Sequence, residues 1–166
     1  MVEINIIKGR ITAEEAIKIL EHYDNEIEVM GLGELYYPYS FRRYWLKLSA
    51  SLGRLSKLNK YVDCSIDMVY GRPALAKGTP CFEPICIEEQ YLLQSAVTRE
   101  ELDQIGHDFT FTYYLNRSKI LRTPTIQLEN EEAFYKKFYI VYCMDGNKEE
   151  YQILLDAMDG NFALLQ

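Results

Sequence analysis

Ile66-Asp67-Met68-Val69-Tyr70-Gly71-Arg72-Pro73-Ala74-Leu75 and Leu155-Asp156-Ala157-Met158-Asp159-Gly160-Asn161-Phe162-Ala163-Leu164 follow one pattern: apolar, Asp, three variable residues, Gly, two variable residues, Ala, Leu. An Asp carboxylate accepts nearby backbone amides and Gly supplies a positive φ. Each stretch therefore reads as a strand, a tight turn and a short returning strand. A pattern this long, met twice in one chain, marks an internal repeat.

Upstream of each copy stands a matching start. Thr12-Ala-Glu-Glu15 and Thr98-Arg-Glu-Glu101 are Thr-x-x-Glu capping boxes, in which the hydroxyl takes the N3 amide and the Glu reaches back to the cap. Ala16, Ile17, Ile19, Leu20 and Tyr23 then form an apolar stripe that stops at Asp24-Asn25. Leu102, Ile105, Phe109 and Tyr113 form the second stripe, and the spacing predicts a helix to about residue 117. Strand formers follow each helix: Ile27 to Met30, Glu34 to Phe41 and Tyr44 to Ser49 in one copy, Thr125 to Leu128 and Glu132 to Cys143 in the other. Asp145-Gly146-Asn147-Lys148 reads as a tight hairpin turn, while the matching connection, Ser49 to Asn59, is longer and basic. The offset between copies is 86 at the caps, 99 at Ile27 and Ile126, and 89 at the Asp residues, which a longer second helix and a shorter second hairpin would produce. The expectation is an α+β chain of two tandem α-β-β-β repeat units, each an antiparallel meander sheet covered by one helix. The units would occupy 1–78 and 97–166, with 79–96 as linker.

The 166 residues carry a net charge of −7, and 48% apolar with 26% charged residues is a globular composition. The acidic balance argues against non-specific nucleic-acid binding, which needs Lys and Arg to displace counterions. No apolar run approaches the roughly 18 residues of a membrane span. Met1 to Lys8 contains Glu3 and no apolar core of a signal peptide, so the expected compartment is the cytoplasm, or an extracytoplasmic one if the chain is a piece of a longer protein. Cys64, Cys81, Cys86 and Cys143 form no Cys-x-x-Cys pair, and His22 and His107 lie far from them in sequence. Neither a metal site nor a cofactor is expected, and reduced thiols are the default, with a Cys81–Cys86 disulfide left open. Gly31 and Gly33 lack the third glycine and the following helix of a phosphate loop, so a bend in a long strand fits them better.

Ile11-Thr-Ala-Glu-Glu-Ala-Ile-Lys-Ile-Leu20 resembles the first helix of PepSY-type domains, and Tyr151-Gln-Ile-Leu-Leu-Asp-Ala-Met-Asp-Gly160 resembles their final strand. The resemblance implies small α+β modules, often in tandem, that bind or restrain partner proteins, peptidases among them, commonly outside the cytoplasm. Met68-Val69-Tyr70 departs from that family's pattern after the Asp, and the strands here are more aromatic.

Two surface features carry the functional expectation. Tyr36, Tyr37 and Tyr39 crowd one aromatic strand, and tyrosine offers a large contact area with a polar tip. Arg42, Arg43, Arg54, Lys57 and Lys60, together with Lys47, place six of 18 basic residues in one short stretch of an acidic chain. The expected function is a non-enzymatic binding or regulatory module that contacts a protein or peptide through the aromatic strand and the basic hairpin. The plainer alternative is that the rings cement the two units and the hairpin is simply solvated. A hydrolase or transferase with a pocket between the units is the other function considered, with Cys64, Asp67 and Asp156 its first residues to test. Self-association through an exposed edge strand, giving a homo-oligomer, is the third.

Overall fold

The structure, a computed structural model, describes residues 1–47, 60–117 and 123–165. Among the described residues, two α-helices and eight mostly antiparallel strands make a mixed α+β fold. In chain order these are β1 (Val2–Ile7), α1 (Ala13–Tyr23), β2 (Glu28–Lys47), β3 (Lys60–Asp67), β4 (Pro73–Leu75), β5 (Phe82–Ile87), α2 (Arg99–Arg117), β6 (Thr125–Met144), β7 (Glu150–Asp156) and β8 (Phe162–Leu165). They fold into two compact units: Met1–Tyr37 with Cys81–Gln94 and Phe134–Gln166, and Pro38–Pro80 with Ser95–Ala133. The 20-residue strands β2 and β6 each contribute one part to either unit.

In the first unit, β7 pairs antiparallel with both β6 and β8, and β1 pairs antiparallel with β5 and parallel with β6 at Ile6↔Tyr135. Helix α1 lays fully buried Ala16 and Leu20 on Tyr139, Val141 and Cys143 of β6, on Ile153 and Leu155 of β7, and on Ala157. A smaller cluster joins Ile4 and Ile6 of β1 to Tyr36. In the second unit, β3 pairs with β2 from Tyr39↔Asp67 to Leu46↔Lys60, and β4 closes the edge. Helix α2 packs Leu102 against Tyr44, Cys64 and Ile66, while Phe109, Tyr113 and Tyr114 in its second half lie over Leu46 and Val62.

Local devices read from sequence occur with closely similar geometry in both places. Thr12 N–H donates to Glu15 Oε2 at 2.8 Å and Glu15 N–H to Thr12 Oγ1 at 3.3 Å; Thr98 and Glu101 repeat both distances. The bond from each threonine amide holds the Glu15 and Glu101 carboxyls below their ordinary range. Val69 N–H donates to Asp67 Oδ1 at 2.8 Å and Met158 N–H to Asp156 Oδ1 at 2.7 Å, with Gly71 at φ 69° and Gly160 at φ 77°. At Asp145-Gly146 the positive φ falls instead on Lys148, at 65°, while the Asp145 carboxylate takes the amides of Asn147 and Glu149 at 2.8 Å each.

Long-range assembly departs from the expected one in two ways. Each helix was expected to cover the strands that follow it. The stretches directly following contribute only partly buried residues, Ile27, Val29 and Leu32 beside α1 and Ile126 and Leu128 beside α2. The buried side chains of α1 sit on residues 139–157, downstream of α2, and those of α2 on residues 44–66, downstream of α1. Backbone ties set this choice. Arg10 and Ile11 N–H donate to Ala157 O at 2.8 and 2.9 Å, and Ala96 and Val97 N–H to Met68 O at 2.9 and 3.1 Å, so each helix starts where one Asp–Gly turn holds it. An amphipathic stripe specifies that a face is buried but not which sheet receives it. The expected linker is also structured: residues 82–87 are β5, Glu89–Tyr91 makes a 3-10 turn, and Leu93 N–H donates to Tyr36 O at 3.0 Å.

Candidate functional site

The aromatic and basic residues singled out in the sequence on β2 divide between its two faces. Tyr36 is buried with Ile4 and Ile6 and donates to Glu34 Oε2 at 3.3 Å; burial is the main cause that raises its phenol above the ordinary value. Tyr37 and Tyr39 are half-buried, Tyr37 against Phe138 with ring centroids 5.9 Å apart. Successive strand residues face opposite sides, so Arg42 and Arg43 diverge. Arg43 makes a two-pronged pair with Asp63 at 2.7 Å for both bonds and lies 5.3 Å from the Tyr61 ring. Lys60 sits 5.8 Å from the Tyr113 ring. Arg54 and Lys57 lie outside the described residues.

Arg42 is the least expected of these. Its side chain is 1% exposed under α2. It donates to Asp103 Oδ1 at 2.5 Å, Glu131 Oε2 at 2.9 Å, Ser40 Oγ at 3.3 Å and Tyr44 Oη at 3.4 Å. Burial works against its charge, yet the bonds to Tyr44 and Asp103 outweigh this and raise its pKa overall. Gly106 of α2 makes the room, since a Cβ there would stand 2.0 Å from Tyr44 Oη. The network is internally satisfied, and its arginine is not available to a partner.

An open apolar surface lies in the first unit, at the C-terminal end of α1. There a groove of about 510 Å³ is floored by Ile27, Tyr151, Ile153, Phe162 and Leu164, and walled by Tyr23. Tyr23 meets Phe162 edge-on at 5.0 Å, yet is 73% exposed, and Leu164 is 66% exposed. The cause is helix length. Helix α1 has 11 residues and stops at Tyr23, while α2 has 19, a difference of roughly 12 Å along the axis. In the second unit the later turns of α2 cover Leu46 and Val62, each 2% exposed; in the first unit, beyond Tyr23, Ile153 is buried, Tyr151 and Phe162 are half-buried and Leu164 stays exposed.

Acids ring this apolar floor. Asp24, Asp145, Glu149 and Glu150 line the groove, with no basic side chain among the described residues that line it. Burial raises the Tyr151 phenol first, and Cys143, Asp24 and Asp145 push it further, which marks the field there as negative. The C-terminal end of α1 adds partial negative charge of its own. Single-sequence reading missed the groove, although the offset between the two similar stretches, 86 at the caps and 99 at Ile27 and Ile126, fits the unequal helices.

The groups proposed for catalysis are engaged in structure. Asp67 and Asp156 each accept the amides of their own turns, and burial raises Asp156. All four cysteines are free thiols; Cys64 and Cys143 are buried, Cys81 and Cys86 exposed. Burial pushes Cys64 up to about 12, so at neutral pH it stays a protonated thiol, which is a poor nucleophile. Treating the native protein with an alkylating reagent is expected to label Cys81 and Cys86 and leave Cys64 and Cys143 until denaturant is added. Rapid native labelling of Cys64 would revive it as a nucleophile. Among the described residues no group of three His, Cys, Asp or Glu could hold a metal, and no helix is long and apolar enough to cross a membrane.

No family model matches this chain, and neither the curated proteins nor the solved structures give a significant match.

Proposed function

We propose that this protein is a binding module for a protein or peptide partner, and that the partner docks in the groove beyond Tyr23. The observation that carries this is the apolar groove at Tyr151 and Leu164, rimmed by four carboxylates, in a fold whose other unit buries Val62, the residue that matches Tyr151, under its longer helix. Exposed apolar area of this kind, rimmed by polar groups, marks interaction sites on soluble proteins. In this reading Arg42 and Arg43 serve structure, holding Asp103, Glu131 and Asp63. The two halves are read as copies of one ancestral unit, on the strength of the duplicated caps and Asp–Gly turns, with divergence in helix length having opened the groove. The likeness of residues 11–20 and 151–160 to PepSY-type domains, modules that bind or restrain partners, runs the same way.

The test is site-specific. A photo-crosslinking residue placed at Leu164 in the full chain, in its native host, is expected to give a discrete adduct. The same residue at Tyr70, which is 71% exposed, is expected to give only background. Equal adducts from both positions would remove this reading.

A further inference from the structure

Resting on that docking reading, we infer that the groove's occupant is a basic amphipathic helix: a segment of about two turns with aromatic or aliphatic anchors on one face and Lys or Arg beside them, presented by a partner protein and laid on the sheet where α1 stops.

The shape of the occupant follows from the second unit. There the equivalent task, covering the sheet face at Leu46 and Val62, falls to helical residues: Phe109, Tyr113 and Tyr114 in the later turns of α2. In the first unit the residue that matches Val62 is Tyr151, which lines the groove only half-buried, and the helix ends at Tyr23, some two turns sooner. A helix with anchors three and four residues apart fits a groove floored by a strand pair and closed at one end by a helix terminus. Ile153 and Leu164 stand opposite each other in the β7–β8 register, which presents their side chains on one face.

The charge of the occupant follows from the rim. Asp24 and Asp145 flank the floor, and Glu149 and Glu150 are exposed at its mouth. Among the described residues none of the four is in an ion pair. An acidic or neutral helix would leave these carboxylates facing like charge or apolar surface, whereas Lys and Arg at the edges of the helix meet them. A second copy of this chain would bring a net charge of −7 toward the same rim. Complementary charge of this kind sets which partner docks and how fast, with the apolar anchors supplying most of the residence time.

The experiment uses the full chain and three labelled synthetic peptides, each about sixteen residues so that a helix can form. All three carry Phe and Leu at helical spacing; their remaining face is Lys in one, Gln in the second and Glu in the third. Fluorescence anisotropy is expected to show tightest binding for the Lys peptide and none for the Glu peptide, with affinity falling as salt rises. Glu149→Lys with Glu150→Lys, both on exposed positions, is expected to weaken the Lys peptide about tenfold. Leu164→Asp is expected to abolish its binding while circular dichroism stays unchanged. Should Lys and Gln peptides bind alike and both be lost in Leu164→Asp, the groove takes apolar helices and the basic partner is wrong. Should no peptide bind while the Leu164 crosslink persists, the helical class is wrong and the docking reading stands. A solution mass of twice the monomer that reverts in Leu164→Asp would make the occupant a second copy and overturn the inference.

Discussion

Gly106→Ala is expected to destabilise the protein by about 3 kcal/mol, lowering Tm by roughly 10 °C. In an exposed helix interior the same change would stabilise by about 1 kcal/mol, because alanine is the better helix former. Here the new methyl carbon would stand 2.0 Å from Tyr44 Oη and 2.8 Å from its Cζ. Tyr44 is 3% exposed and locked among Cys64, Ile66 and Leu102, so its ring has no empty space to enter. Combining Gly106→Ala with Tyr44→Phe removes the worst contact but leaves the 2.8 Å one, so a double-mutant cycle is expected to show partial rescue. Thermal unfolding in which Gly106→Ala matches or exceeds the parent would refute this packing of α2 on β2.

Removing both acids from Arg42 is expected to cost a similar amount. Asp103→Ala with Glu131→Ala leaves a guanidinium that is 1% exposed with, among the described residues, Ser40 Oγ at 3.3 Å and Tyr44 Oη at 3.4 Å as its remaining partners. Breaking a buried pair by deleting one side typically costs 3–5 kcal/mol. The figure expected here is about 3 kcal/mol, at the low end, since water reaches the truncated sites: Asp103 is 53% and Glu131 35% exposed. Adding Arg42→Met to the double variant is expected to recover most of the loss, because the uncompensated charge is what costs stability. Urea denaturation of the three proteins separates these outcomes. A triple variant no more stable than the double would show that Arg42 contributes by packing its stem and not through its charge.

The two variants probe the same point from different sides. Both Gly106 and Arg42 break the ordinary pattern of their elements, a glycine mid-helix and a charged residue on a buried strand face. Each makes sense only with the other's neighbours in view: Gly106 makes room for Tyr44, and Tyr44 accepts from Arg42. In sequence Arg42 looked like part of a basic patch with Arg43, since the two are adjacent. Strand alternation alone was enough to separate them, because neighbouring residues on a strand point to opposite faces. That Arg42 is on the buried side and finds Asp103, 61 positions away, required the tertiary structure.

What the sequence by itself determined were the features whose chemistry is local. The Thr-x-x-Glu caps start both helices, α2 runs to Arg117, and Gly71 and Gly160 take positive φ, because each depends on residues within a few positions. Only the tertiary structure decided which strands each helix covers, that residues 82–87 pair with β1, and where apolar surface stays open. An apolar stripe is satisfied by any complementary face, so its destination is set by long-range backbone ties such as those from Arg10 and Ile11 to Ala157, not by the stripe. The groove is the meeting of the two kinds of information. Helix length, written in the chain, is unequal between α1 and α2, but its consequence at Leu164 exists only once the short helix lies on a sheet too long for it.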